Sequence, residues 1–195
     1  NSLEKYIIDN CQINSYVIID ESMQPWYGEQ WREDSLVSQT NWIKEIAESK
    51  NIYIFIIHSW TKFFHCPGLR IGSLICPTLE LFEHIQSIKI PWSVNILALK
   101  YLDCCVRDNS YMRYIWDHTR KYRKDQIEKL KELFPNWIFY GSDFLSWIWI
   151  ETNNKTLASF CYQMCKFKGV PIRLGKNGYQ KDSCLRIAVK NPDKF

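Results

Sequence analysis

Two continuous apolar runs organise the first third of the chain. Tyr16-Val17-Ile18-Ile19-Asp20 and residues 52–57 are rich in β-branched side chains, the pattern of strands covered on both faces. Between them, Ser35 opens a helix predicted over 35–50, with Leu36, Trp42, Ile43 and Ile46 as apolar anchors. Strand, helix and strand at this spacing predict a right-handed crossover unit in a parallel sheet. A third strand is predicted over 69–75, stopped by Pro77. It follows a loop that contains Lys62 and no helix, so antiparallel entry is open to it. Residues 2–10 read as the tail of a helix, with Leu3, Tyr6, Ile7 and Asn10 on related faces. Residues 24–33 carry Pro25, Trp26, Tyr27, Gly28 and Trp31, and read as a loop whose aromatics pack on something.

The texture then changes. A short helix is predicted from Pro77 to Gln86, a second over 94–107 after Pro91-Trp92-Ser93, and a long charged one over 110–133. Strands are expected over 137–140 and 145–151, flanking Gly141-Ser142-Asp143. A helix over 156–168 follows, with Gly169 at its C′ position, and then strands over 170–173 and 183–189. The fold class is α/β, a mixed and mostly parallel sheet followed by a smaller α+β domain. The expected boundary lies near residue 93, giving domains 1–93 and 94–195. Both ends read as cuts: the chain opens inside a helix and closes on Asn191-Pro192-Asp193, which is how a helix begins.

Composition narrows the classes. Hydrophobic residues make up 46% and aromatics 15% of the chain, ample for a core and against disorder. The net charge of +4 is mild, and Arg120-Lys121-Tyr122-Arg123-Lys124 reads as a solvated helix face rather than a nucleic-acid footprint. The eight cysteines form no CxxC pair and no histidine stands at ligand spacing, so no metal site is expected. Adjacent Cys104 and Cys105, and Cys161 a helical turn from Cys165, suit buried thiols on helices in a reduced, cytoplasmic protein. No apolar run approaches the roughly 20 residues of a membrane span, and no membrane partner is expected.

The chemistry concentrates after the second strand. Lys62 stands between that strand and Arg70, with Ser59 three residues and Thr61 one residue before it. A desolvated lysine near other cations becomes nucleophilic enough to form an imine. Ser59, Thr61 and Arg70 are donors suited to one phosphate, Arg70 by a forked charged contact. Asp20 ends an apolar strand, where a buried carboxylate needs a cationic partner such as a pyridinium. Arg186, in a late strand, suits a substrate carboxylate. Together these residues match the needs of pyridoxal phosphate.

Ser59-Trp60-Thr61-Lys62 followed by Pro67-Gly68-Leu69-Arg70-Ile71-Gly72 resembles the lysine attachment motif of class I/II aminotransferases, a fold-type I pyridoxal phosphate family. Asp20-Glu21 after Val17-Ile18-Ile19 is similar to that family's strand-end acid, and Cys184-Leu185-Arg186-Ile187-Ala188-Val189 to its carboxylate-binding strand. The nearest branch is histidinol-phosphate aminotransferase with threonine-phosphate decarboxylase; Pro91-Trp92-Ser93-Val94-Asn95 and Thr61-Lys62-Phe63-Phe64 lean toward the latter. The resemblance implies that Lys62 carries the imine and shuttles a proton. It implies that Asp20 pairs with the pyridine nitrogen, that Ser59, Thr61 and Arg70 bind phosphate, and that Arg186 binds the substrate. It further implies a homodimer acting on a small or phosphorylated amino acid, with residues 1–93 in the large cofactor domain and 94–195 in the small one.

The chain departs from the pattern in three places. Met23 stands where the family has a tyrosine bonding the cofactor's phenolic oxygen, and a thioether donates no such bond. The stretch from Asp20 to Lys62 is long, with the aromatic segment as an insertion; Trp26, Tyr27 and Trp31 read as core, with an interface or entrance role as the alternative. The glycine-rich phosphate loop and the asparagine motif that precede this region in the family are absent, so the chain reads as a C-terminal portion. The expected activity is amino-group transfer between an amino acid and a 2-oxo acid. The alternatives are decarboxylation on the same scaffold and a non-catalytic fragment or degenerate homologue.

Overall fold

Parity of the side chains along β1 (Tyr16–Asp20) and β2 (Tyr53–Ser59) sets the core of the first half. In the computed structural model, which describes residues 2–192, the two strands run parallel, with Tyr16 opposite Tyr53 and Asp20 opposite Ile57. Val17 and Ile19 point to the same side as Ile54 and Ile56. There they meet Ile7 from α1 (Ser2–Asn10) and Ile43 and Ile46 from α2 (Thr40–Lys50). The opposite side of β1 is open: Tyr16 and Ile18 are each 68% exposed. The expectation of a strand covered on both faces is therefore corrected for β1, which is covered on one, while β2 is largely buried.

Ser35 opens the helical segment as expected, its hydroxyl accepting from the Val37 amide at 3.1 Å. That segment starts as a 3-10 turn, Leu36–Gln39, before α2, and ends at Asn51 in the left-handed conformation. Lys62 lies on a single helical turn, α3 (Trp60–Phe63), rather than in a plain loop. The third strand is shorter than expected. Pro67–Leu69 forms a 3-10 turn, Arg70 is left-handed at φ 52°, and only β3 (Gly72–Ile75) joins β2, antiparallel. A Cβ at Gly72 would stand 2.6 Å from the His58 carbonyl oxygen, so this approach of the strands requires glycine. The helix expected from Pro77 begins two residues later, because the Thr78 hydroxyl caps α4 (Leu79–Ile88) through the Leu81 amide. Asn95 caps α5 (Ile96–Arg107) in the same way.

The chain divides into two compact units, Asn1–Asn109 and Ser110–Phe195. In the second, α6 (Asn109–Leu133) precedes an antiparallel sheet of order β4-β5-β7-β6. Its strands are β4 (Ile138–Tyr140), β5 (Trp147–Glu151), β6 (Arg173–Leu174) and β7 (Cys184–Ala188). Ile148, Ile150, Leu174 and Leu185 form its core with Ala158 of α7 (Lys155–Phe167). Gly169 follows that helix at φ 75°, as its C′ role predicts. The strand expected over 170–173 shrinks to β6, since Pro171 has no N–H for a ladder. An unexpected turn, α8 (Lys176–Tyr179), links β6 to β7. Together these elements make the α/β chain with a mixed sheet followed by an α+β unit.

Two expectations about side chains are corrected. The helical thiols are not buried: Cys104 is exposed and Cys105, Cys161 and Cys165 are partly exposed, while the buried thiols are Cys66 and Cys184. Burial and the neighbouring Glu151 carboxylate push the Cys184 thiol up to about 11. The basic run on α6 is not uniformly solvated, because Arg123 is buried and bonds three carbonyls. The helix start read at Asn191-Pro192-Asp193 extends outside the described residues.

Candidate active site

The C-terminal ends of β1 and β2 lie side by side, and this parallel pairing brings the predicted cofactor residues into one place. Ser59 closes β2 and Lys62 follows within α3, its amine 3.4 Å from the Ser59 hydroxyl. The Ser59 and Thr61 hydroxyls are 2.9 Å apart; Thr61 is buried and Lys62 is exposed. Gly72 pairs with Ser59 across β2 and β3, so Arg70, two residues before Gly72, sits on the turn that returns toward Ser59. Its guanidinium donates to the Pro67 carbonyl at 3.0 Å.

Asp20 ends the neighbouring strand. It is exposed, which corrects the premise of a buried carboxylate in need of a cation. Its carboxylate accepts from the Ser22 amide at 2.8 Å. The partial burial it does have raises its pKa. The Ser22 hydrogen bonds and the charges of Lys62 and His58 outweigh that and hold it below the ordinary carboxylate range. Ser22 also accepts from the Ser59 amide at 2.9 Å, tying the Asp20 turn to the lysine segment. Met23 offers no hydroxyl at this end of the strand.

Two residues not singled out in the sequence stand beside this set. Glu21 is buried, and accepts from the Ser35 hydroxyl at 2.5 Å and the Leu36 amide at 2.8 Å. Burial raises its pKa, but His58, Ser35 and Leu36 together hold it below its ordinary value. His58 is also buried, with Nε2 at 3.3 Å from a Glu21 carboxylate oxygen, an ion-pair distance without hydrogen-bond alignment. Period two along β2 puts His58 in phase with the buried Ile54 and Ile56, and that was the available signal.

Arg186 lies in the second unit, on β7, opposite Trp149 of β5 and Arg173 of β6. Its guanidinium donates to the Tyr179 hydroxyl at 2.7 Å. Arg173 and Arg186 both lie over the Tyr179 ring, at 5.7 and 5.9 Å from its centroid. Among the described residues no carboxylate lies within ion-pair distance of either. Like charges directly opposite in a sheet repel. Arg173 was missed because its position opposite Arg186 exists only in the register.

A lysine amine beside the Ser59 hydroxyl, with Thr61 next to it and a strand-end carboxylate held below its ordinary range, is a set whose chemistry fits pyridoxal phosphate. The sequence comparison is specific: the family described as aminotransferase class I and II matches residues 5–194, and the chain belongs to it. This family and the structures similar to the chain are pyridoxal phosphate-dependent. Histidinol-phosphate aminotransferase 2 of Archaeoglobus fulgidus is 28% identical over 145 residues, covering 73% of this chain and 38% of that protein. Threonine-phosphate decarboxylase of Salmonella typhimurium is 28% identical over 116 residues, covering 59% and 29%. Among solved structures, the histidinol-phosphate aminotransferase of Clostridium acetobutylicum shares the fold, with a TM-score of 0.78 at 24% identity over 99% of this chain and 54% of that one. The chain thus spans about half the length of the structure it resembles, and less of the two proteins above.

Proposed function

We propose that this chain carries the lysine-bearing part of a pyridoxal phosphate-dependent aminotransferase. The observation that carries the reading is the adjacency of Asp20 and the Ser59–Lys62 segment at the ends of two parallel strands, linked through Ser22. In this reading Lys62 attaches the cofactor through its amine, and Asp20 faces the pyridine nitrogen. Ser59, Thr61 and Arg70 hold the phosphate. The cofactor, when bound, supplies an electron sink for breaking a bond at the substrate's α-carbon. The Lys62 amine would be the group that takes and returns the α-proton. Arg186, with Arg173, orients the anionic end of the substrate. Residues 1–93 belong in this reading to the cofactor domain and 94–195 to the small domain of a cytoplasmic homodimer. Among the described residues, no helix is long and apolar enough to cross a membrane.

Adding pyridoxal phosphate to the protein should produce visible absorbance that disappears in Lys62→Ala. Absorbance that survives this substitution would overturn the assignment. A second reading, decarboxylation of a phosphorylated amino acid, draws support from the paired arginines, which suit a doubly charged group. Product analysis separates the two: carbon dioxide released without amino-group exchange would sink the transaminase reading.

A further inference from the structure

The aromatic segment inserted between Asp20 and Lys62 packs against the turn that carries the lysine. Trp26 stands edge-on to Phe63 at 5.0 Å, and Trp31 stands edge-on to Trp60 at 6.1 Å and to His58 at 6.4 Å. Both tryptophans are buried, so the core reading of these two holds; Tyr27 is exposed. The far end of the segment is held by Glu21 through Ser35 and Leu36. His58 is the shared contact. Its imidazole approaches Glu21 at 3.3 Å and lies flat on the Trp60 ring, 5.0 Å between centroids at 7°.

A helix of four residues does not hold its own shape, because nucleation outweighs the few hydrogen bonds it closes. The geometry of α3 must therefore come from its neighbours. Trp60, Phe63 and Phe64 around Lys62 are fixed by ring contacts, and the lysine alone among 60–64 is exposed.

We propose that His58 is a positioning residue for Lys62, acting through the Glu21 carboxylate and the Trp60 ring to hold α3 in place beside the Asp20 end of β1. This rests on the reading of Lys62 as the cofactor's attachment point. His58 touches neither cofactor nor substrate in that reading. It joins three parts of the chain: the end of β1, the inserted aromatic segment and the lysine turn. An arginine at position 58 would offer N–H donors to Glu21 and keep a planar group against Trp60. Alanine would keep none of these.

The test follows amide exchange in the protein without cofactor. The Phe64 amide bonds the Trp60 carbonyl and the Cys66 amide bonds the Thr61 carbonyl, so both report on the lysine turn. His58→Ala should speed exchange at both by about tenfold while Ile54 and Ile56 in β2 stay as they were. His58→Arg should restore protection. In the same samples, trace acylation of Lys62, measured against Lys44 as internal reference, should change in His58→Ala and return in His58→Arg. Unchanged exchange at Phe64 and Cys66, or equal loss at Ile54 and Ile56, would overturn the proposal, as would failure of the arginine to rescue. Glu21→Gln offers a second entry to the same pair: its general loss of stability is read at Ile54 and Ile56, and exchange at Phe64 and Cys66 should rise by about tenfold beyond that shared loss; no excess there would also overturn the proposal. None of these readouts needs the cofactor, so loss of the Lys62 assignment and loss of the His58 role appear in separate measurements.

Discussion

The antiparallel sheet of the second unit meets arginines at both of its edges and treats them in opposite ways. At the β4–β5 end, Arg123 reaches from α6 and is buried at 3% exposure. Its guanidinium donates to the carbonyls of Trp147, Tyr140 and Gly141 at 2.5, 2.9 and 2.9 Å. Burial pulls its pKa below the ordinary value, and the charge of Asp143 partly offsets that. At the β6–β7 end, Arg173 and Arg186 face each other across the ladder and share one tyrosine. A buried cation held by three backbone carbonyls is a structural part. Two cations set against each other on a surface with only an aromatic ring between them are left with donors for something else.

The sharpest way to break this contrast is Arg123→Met, which removes a buried guanidinium's bonds to three carbonyls and should destabilise the protein by about 3 kcal/mol in urea unfolding. A loss under about 1 kcal/mol would remove the distinction between the two edges. A smaller effect is expected from a buried anion treated like Arg123. Glu21→Gln should weaken the protein by about 2 kcal/mol at neutral pH, since a carboxylate accepting two short bonds is replaced by an amide. Because the folded protein holds Glu21 below its ordinary value of 4.5, its contribution is complete above that value and is lost as pH falls through the lower folded one. The stability gap between wild type and Glu21→Gln should therefore close on acidification; a gap that widens at low pH would contradict the structure. The smallest stability effect belongs to the other arginines. Arg173→Gln should leave stability unchanged or raise it by about 0.5 kcal/mol, by relieving like-charge repulsion. In the active protein, Arg186→Gln should raise the KM for an anionic substrate by about tenfold or more, the equivalent of one charge-assisted bond.

Much of this was legible in the chain and some of it was not, for physical reasons. The parallel pair β1 and β2 announced itself through β-branched runs, and Ser59, Thr61, Lys62 and Arg70 through their spacing. The openness of one face of β1 was invisible, because Tyr16 and Ile18 are as apolar as Val17 and Ile19, and composition does not tell a covered face from an open one. Arg123 was hidden within a basic run, where three neighbours share its chemistry and only the turn of the hairpin selects it. Glu21 was overshadowed by Asp20: both are carboxylates at the same strand end, and the pleat alone decides which of them is buried. The opposition of Arg173 and Arg186 is a product of register, which turns and ladders set over distance.

The backbone at Arg70 has a consequence for how this site can change. A φ of 52° is a conformation that glycine adopts freely and an L side chain adopts at about 1 kcal/mol or more. The residue is neither an asparagine nor a glycine, the usual occupants of such a bend. Improving the fold locally and keeping the cation are thus competing aims: a glycine here relaxes the turn and discards the guanidinium in the same step. Selection of this protein for thermal endurance alone would drift toward that trade, while selection for the phosphate contact proposed for Arg70 would hold the arginine against its own backbone.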